Sequence, residues 1–357
     1  MSFATILDTL TTIIWSPALV FVCLAVGIFF TISTLFMQIR CIPDMFQQMV
    51  GNDDSESGVS SFKALMISLA GRVGVGNIAG VATAIAYGGP GAVFWMWIVA
   101  IFGAATSFME CTLAQIYKEK DQDTGEYRGG PAYYIEKTFQ HTRARKFMLV
   151  YAIIFAVCMV LSGGYFLLGI QANGVADAMR NAWGINVWLS AAVSAVLVGV
   201  IIMGGVKRIA NFASLVVPFM AIIYILAAVI IMFVNFHHID DVFSLIFRSA
   251  FDREAMFSGM LGSAIMWGVK RGIYSNEAGQ GTGPQSAAAA EVSHPAKQGF
   301  VQAFAVYAGT LFVCSATAFI ILSTDMYKVF EGESQDGPVR YAGQLADGVD
   351  VGPGFVQ

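Results

Sequence analysis

The polar residues of this 357-residue chain with the greatest chemical potential fall in two glycine-rich stretches, each set inside an apolar run. The first, GRVGVGNIAG from Gly71 to Gly80, carries Arg72 and Asn77 among four glycines. The second, GVKRGIYSNEAGQGTG from Gly268 to Gly283, carries Lys270, Arg271, Tyr274, Ser275, Asn276 and Glu277. Each glycine weakens a helix by about 1 kcal/mol relative to alanine, so both runs are expected to break in the middle. Inside a bilayer an unpaired backbone group costs several kcal/mol. A break therefore persists only where protein, water or a ligand takes up the freed N–H and C=O groups. Two glycine-interrupted segments in corresponding halves point to the binding site of a transport pathway.

The groups at these breaks suit small zwitterions and hard cations. Helix N-termini attract carboxylates, while unwound carbonyls and helix C-termini attract cations. Sodium takes oxygen ligands from hydroxyls, amides and carbonyls, which the second break around Ser275, Asn276 and Glu277 supplies. Asn77 offers an amide donor and acceptor at the first break, for a ligand or for an interhelical bridge. Glu277 could hold a cation or an ammonium, or pair with Arg72 or Arg271, since charges inside a membrane usually pair. Thr83 reads as a residue bonded back to its own helix before it reads as a cation ligand. Gln171 is a polar residue in an apolar run, by default an interhelical hydrogen bond. Gly76 and Gly80 also fit small-residue helix packing, but packing does not account for Arg72 and Asn77 beside them.

Composition gives these stretches their setting. The chain is 57% hydrophobic and 12% charged, against about 25% charged in a soluble domain. It reads as an all-α integral membrane protein. Its basic residues are scattered, with no basic-aromatic patch for nucleic acid. The five cysteines have no metal-ligand spacing and read as packing residues. No nucleophile–base pair, phosphate loop or transition-metal box lies within the spans, so no enzyme and no cofactor is expected.

A span needs about 20 apolar residues, and eight segments qualify. They are 9–39, the broken 62–86, 92–117, 147–176, 187–206, 209–236, the broken 255–290 and 299–324. A short interfacial helix is expected near Tyr133, Tyr134 and Ile135, and a hinge at Lys207 and Arg208. His237, His238, Asp240 and Asp241 read as a solvated loop. With the N-terminus outside, fourteen of the twenty Lys and Arg residues fall in inside connections, with Lys270 and Arg271 counted at the cytosolic end. Five fall outside and Arg72 lies within a span, as the positive-inside rule favours. The spans over 62–236 form a five-helix repeat opened by a broken helix, and 255–324 opens a second. Five is odd, so the second starts from the opposite side, an inverted repeat. The chain is expected to be one transmembrane domain over 1–357, ending before the last three helices of that repeat.

Several runs together resemble the sodium:alanine symporter family, also called alanine or glycine:cation symporters. They are GNIAGVA at Gly76–Ala82, GGPGAVFWMWIVAIFG at Gly88–Gly103, GGPAYYI at Gly129–Ile135, GGVKRIA at Gly204–Ala210 and RGIYSNEAGQGTGP at Arg271–Pro284. The resemblance covers nearly the whole chain. It implies a cell-membrane importer of alanine, glycine or a similar small neutral amino acid, coupled to Na⁺ or H⁺ by alternating access. It also implies the five-plus-five inverted repeat of the bacterial leucine transporter, with one extra helix in front. Substrate contacts then fall on Gly76, Asn77, Gly80, Gln171, Tyr274, Ser275, Asn276 and Gly279, with Gly74, Thr83 and Glu277 as cation-site candidates. Members of the family are longer, so an inactive truncated fragment is the alternative expectation. A cation channel is a weaker one, because one asymmetric chain supplies no repeated ring of carbonyls or acidic side chains.

Overall fold

Charge-free apolar runs become long helices here because lipid leaves the backbone no other partner than itself. A computed structural model of the chain describes residues 5, 9, 13–50, 59–251, 260–323, 329–330 and 339–341. The acidic linker 51–58, the start of the segment expected from residue 255, and most of the tail beyond residue 323 lie outside the described residues.

Helix α1 (Pro17–Ser33) is followed by the amphipathic α2 (Ile42–Val50). The first broken segment is α3 (Ser61–Arg72) and α4 (Val75–Gly88), bent by 40°. Ser60 caps α3 by accepting the Lys63 N–H at 3.4 Å. Next come α5 (Gly91–Ile116), a two-stranded ribbon of β1 (Glu119–Lys120) and β2 (Tyr127–Arg128), and α6 (Pro131–Thr138). Helix α7 (Arg145–Leu161) runs through a π-turn at Ser162–Phe166 into α8 (Leu167–Trp183), which ends on Gly184 at φ +65°. Two more apolar helices follow, α9 (Val187–Ile202) and α10 (Gly205–Val234). Then come α11 (Ile239–Phe251), the second broken segment α12 (Met260–Asn276) and α13 (Thr282–Ala288), and α14 (Pro295–Val306). A π-turn at Tyr307–Cys314 joins α14 to α15 (Ser315–Leu322).

Four of these stretches, Gly91–Ile116, Arg145–Trp183, Gly205–Val234 and Pro295–Leu322, are long and apolar enough to cross a membrane, and the bent pair α3–α4 qualifies as a unit. This is a mostly helical membrane protein. Helices α5 and α14 are half to two-thirds buried, whereas α7–α8 and α10 bury few of their residues fully. The exposed side chains are apolar, among them Phe147, Leu215 and Phe233. The core is where α12 and α14 pack on α5. Small residues let the backbones approach: a Cβ on Gly268 would come within 2.5 Å of the Ala92 carbonyl oxygen.

One face of the molecule gathers Val59, Ser61, Gln115, Lys118 and Ala287–Gln298. There the Val59 N–H donates to the Ala289 carbonyl at 3.1 Å, and Gln298 Nε2 to Ser61 Oγ at 2.7 Å. The opposite face gathers Tyr87, Phe251, Ser263 and Trp267, with Tyr87 and Trp267 stacked at 4.7 Å. Lys270 lies over the Trp15 ring at 6.0 Å, at the start of α1, on that second face. This corrects the sequence reading. Lys270 and Arg271 precede the break and share the face of Trp15, so an N-terminus outside and Lys270 and Arg271 at the cytosolic end cannot both hold.

Two other expectations also change. Asp240 and Asp241 open α11, which packs Val242, Ile246 and Ala250 inward, and His238 sits 3.8 Å from Asp241; this connection is an amphipathic helix preceded by a 3₁₀ turn, not a loop. The hinge before α10 falls at Met203–Gly204, leaving Lys207 and Arg208 in the first turns of that helix. The short helix expected at Tyr133–Ile135 is present as α6.

Lys118, just past the end of α5, donates to the Ala290 carbonyl at 2.5 Å. Burial pulls its ammonium down from 10.5 to about 8, opposed by Glu291. Because the folded value lies below the unfolded one, charging Lys118 disfavours the folded state below pH 8. That penalty is relieved as pH rises from 8 to 10.5. Lys118 is therefore expected to react with amine reagents with a midpoint near pH 8, ahead of the exposed lysines, as read by peptide mass spectrometry.

Candidate functional site

The first break follows from a run that cannot hold helical hydrogen bonds cheaply. Helix α3 ends at Arg72, and α4 starts again after Gly74, which is extended at φ −160°. The freed Val75 N–H donates to Gln171 Oε1 of α8 at 3.1 Å. A Cβ on Gly74 would come 3.0 Å from that same oxygen. Asn77 is buried in the first turn of α4. Its Nδ2 donates to the Gly309 carbonyl at 2.8 Å, and its main-chain carbonyl accepts from Thr317 Oγ1 at 2.8 Å. Gly309 lies in the π-turn of Tyr307–Cys314, where a widened helical turn leaves backbone groups for outside partners.

The second break runs from Asn276 to Thr282. Glu277, Gly279 and Gly281 take the left-handed conformation, at φ +53°, +82° and +91°. Glycine adopts it at no steric cost. Glu277 is the exception, a non-glycine residue held there while its Oε2 accepts from Thr282 Oγ1 at 2.6 Å. Ser275 Oγ lies 3.0 Å from Thr310 Oγ1 and 3.1 Å from Cys314 Sγ.

The two breaks touch. A Cβ on Gly76 would come 2.6 Å from the Tyr274 ring, so Gly76 is the seat of that ring. A Cβ on Gly71 would sit 3.1 Å from the Glu277 carboxylate, and one on Gly80 3.9 Å from Arg271 Cδ. Asn77 and Ser275 meet at one place on the π-turn, through the neighbours Gly309 and Thr310. Thus Gly74, Gly76, Asn77, Gly80, Gln171, Tyr274, Ser275 and Glu277 surround one region. Asn276 and Gly279 face away from it. The Asn276 amide packs on α5 at Gly103 and the Val99 carbonyl, and the Gly279 N–H donates to Glu110 Oε1 of α5 at 3.1 Å. The Thr83 hydroxyl donates to the Ala79 carbonyl at 2.6 Å, the back-bond its position suggested.

Arg72 is 1% exposed. Its Nη1 donates to the Gln302 carbonyl at 2.9 Å and its Nη2 to Ser107 Oγ at 3.2 Å. It lies close enough to attract the carboxylates of both Glu110 and Glu277. Among the described residues it makes no ion pair within 4 Å with Glu277, and neither does Arg271. Sequence reasoning missed Thr310, Thr317 and Glu110 as partners of the breaks. Their signal was modest: a Gly-Thr pair and a second threonine in an uncharged span, and the one carboxylate within α5. Replacing Asn77 by alanine would strand the buried Gly309 carbonyl, while the Thr317 bond to the main chain of residue 77 would remain. The expected cost is about 1–3 kcal/mol, read as a fall in the midpoint of thermal unfolding.

The family model described as the sodium:alanine symporter family matches residues 1–349. The chain belongs to this family. A putative sodium/proton-dependent alanine carrier protein, YrbD, of Bacillus subtilis is 54% identical over 349 residues, which is 98% of this chain and 69% of that protein. A probable sodium/glutamine symporter, GlnT, of the same organism is 46% identical over 88% of this chain and 64% of its own length. A sodium/proton-dependent alanine carrier protein of Bacillus sp. PS3 is 46% identical, over 88% and 67% respectively. The chain thus spans about two thirds of the length of these relatives. The family consists of transporters, and the resemblance read from the motifs is borne out.

Proposed function

We propose that the chain imports alanine or a similar small neutral amino acid together with Na⁺, by alternating access, across the cell membrane. The observation that carries this reading is the contact of the two broken helices, with Tyr274 of one seated on Gly76 of the other. A ligand there meets unwound backbone from both segments, the Gln171 amide, the Asn77 amide and the Ser275 hydroxyl. These groups suit the carboxylate and ammonium of an amino acid. An aromatic ring on a bare glycine leaves little room beside it, which suits a small side chain. The names of relatives support alanine, and one names glutamine, so the neighbours of Gly76 would set the size accepted. Glu277 and the backbone beside Gly74 are the oxygen donors we assign to the cation. Thr83, its hydroxyl spent on Ala79, is left out of that set. Asn276 and Gly279 would act from behind, by fixing the second break on α5.

In the same reading the domain is a five-plus-five inverted repeat preceded by α1, with the N-terminus outside. With Lys270 and Arg271 moved to the outer side, twelve basic residues remain inside and seven fall outside, so the positive-inside rule still favours this orientation.

Uptake of radiolabelled alanine into proteoliposomes tests the proposal. Accumulation is expected with an inward Na⁺ gradient and not with choline in its place, and an inside-negative potential should raise it, by about 2.3 kcal/mol per charge per 100 mV. Equal uptake with and without a Na⁺ or H⁺ gradient would refute coupled import.

A further inference from the structure

Between the start of α1 and the outer half of α12 lies a cavity of about 500 Å³, within the size range of small-molecule sites. Its walls include Trp15, Pro17, Trp267, Lys270, Arg271 and Tyr274. The two cations are held against aromatic faces: Lys270 Nζ is 5.5 Å from the Trp267 ring centre, and the Arg271 guanidinium carbon 5.4 Å. Among the described residues neither has a carboxylate within 4 Å. Arg271 Nε is buried and has no acceptor. Charges inside a membrane protein are normally paired, so a Lys–Arg pair that lines a cavity with no carboxylate partner among the described residues calls for an anion. Tyr274 forms one wall of the cavity and also sits on Gly76 at the first break. The cavity thus adjoins the proposed substrate region across a single ring, and Arg271 reaches along α4 to Gly80.

We propose that this cavity is an outer capture site for a carboxylate, where the substrate's carboxylate is held by Lys270 and Arg271 before it passes Tyr274. The role in transport rests on the import reading above; the anion site does not. Arg271 presents a planar fork for a carboxylate, and Lys270 a point charge. Trp15 and Trp267 give the cations π-faces when the site is empty. The site concentrates anions at the entrance and sets the capture rate more than the turnover.

Quenching of tryptophan fluorescence by iodide in the purified chain reads the site without transport. Iodide is expected to quench a saturable component that acetate and alanine relieve, and neutral acrylamide should show no such component. Trp267→Phe should remove most of it, and a Lys270→Gln/Arg271→Gln double variant should abolish it. In proteoliposomes the double variant is expected to raise the KM for alanine about tenfold at low salt, the lower end of electrostatic steering, with Vmax within twofold. Arg271→Lys should fall between. A wild-type iodide response as linear as that of acrylamide would overturn the site. So would a double variant with an unchanged KM and only a lower Vmax. Saturable iodide quenching in a chain without gradient-driven uptake would uphold the anion site and refute the import reading instead.

Discussion

Arg72→Met is expected to cost the fold about 3–5 kcal/mol, the range measured when one member of a buried charge set is removed. Arg72 is among the largest fully buried side chains of the described residues. Its guanidinium ties the end of α3 to the Gln302 carbonyl of α14 and the Ser107 hydroxyl of α5. It is also the cation that attracts Glu110, which holds the Gly279 N–H, and Glu277, which holds the Thr282 hydroxyl. Without it the buried Gln302 carbonyl and Ser107 hydroxyl each lose a donor, and the tie from α3 to α14 and α5 is lost. Methionine fills the volume, so any loss reflects charge and hydrogen bonds. The apparent midpoint of thermal unfolding in detergent should fall by roughly 10 °C. Arg72→Lys, which keeps the charge but not the fork, should fall by less. An unchanged midpoint in Arg72→Met would show that the guanidinium is not what joins the two breaks.

Gly76→Ala is expected to have the opposite profile, with stability kept and transport lost. The added methyl would stand 2.6 Å from Tyr274 Cε1 and 3.0 Å from Cδ1, where carbon atoms prefer about 3.5–4.0 Å. Either the ring or the start of α4 must shift by about 1 Å, and displacements of that size cost about a hundredfold in well-positioned sites. Alanine also favours the helix by about 1 kcal/mol over glycine, which offsets part of the strain. Alanine uptake should therefore fall by about two orders of magnitude at a nearly unchanged unfolding midpoint. Gly164→Ala is the control, because a Cβ there meets nothing within 4 Å. Equal uptake by the two variants would remove Gly76 from the site.

The parts of this fold that were legible in the sequence are those decided by local free energy. Apolar runs had to become helices, and glycine clusters had to break them, so both breaks were found within a few residues. What required the third dimension was which way each group faces. Asn276 and Gly279 stand beside Ser275 in the chain, yet the left-handed turn at Glu277 directs them to α5. Gln171 sits on a long apolar helix whose rotation no periodicity fixes, and only its bond to Val75 orients it. Lys270 and Arg271 were read at the end opposite the chain's start because charge alone does not reveal depth; their position before the break puts them on the face of Trp15. Helix α11 hid in a polar connection, although Val242, Ile246 and Ala250 already stood four residues apart.

The most direct test is equilibrium binding of radiolabelled alanine to the purified chain in Na⁺ and in choline, for wild type, Asn77→Ala and Ser275→Ala. These two side chains lie on opposite breaks and meet at Gly309 and Thr310. The expected result is one saturable site that requires Na⁺ and weakens about tenfold or more in each variant, as loss of a hydrogen bond to a charged group would give. Alanine binding that is indifferent to Na⁺, or that survives unchanged in both variants, would contradict a substrate site between the two broken helices.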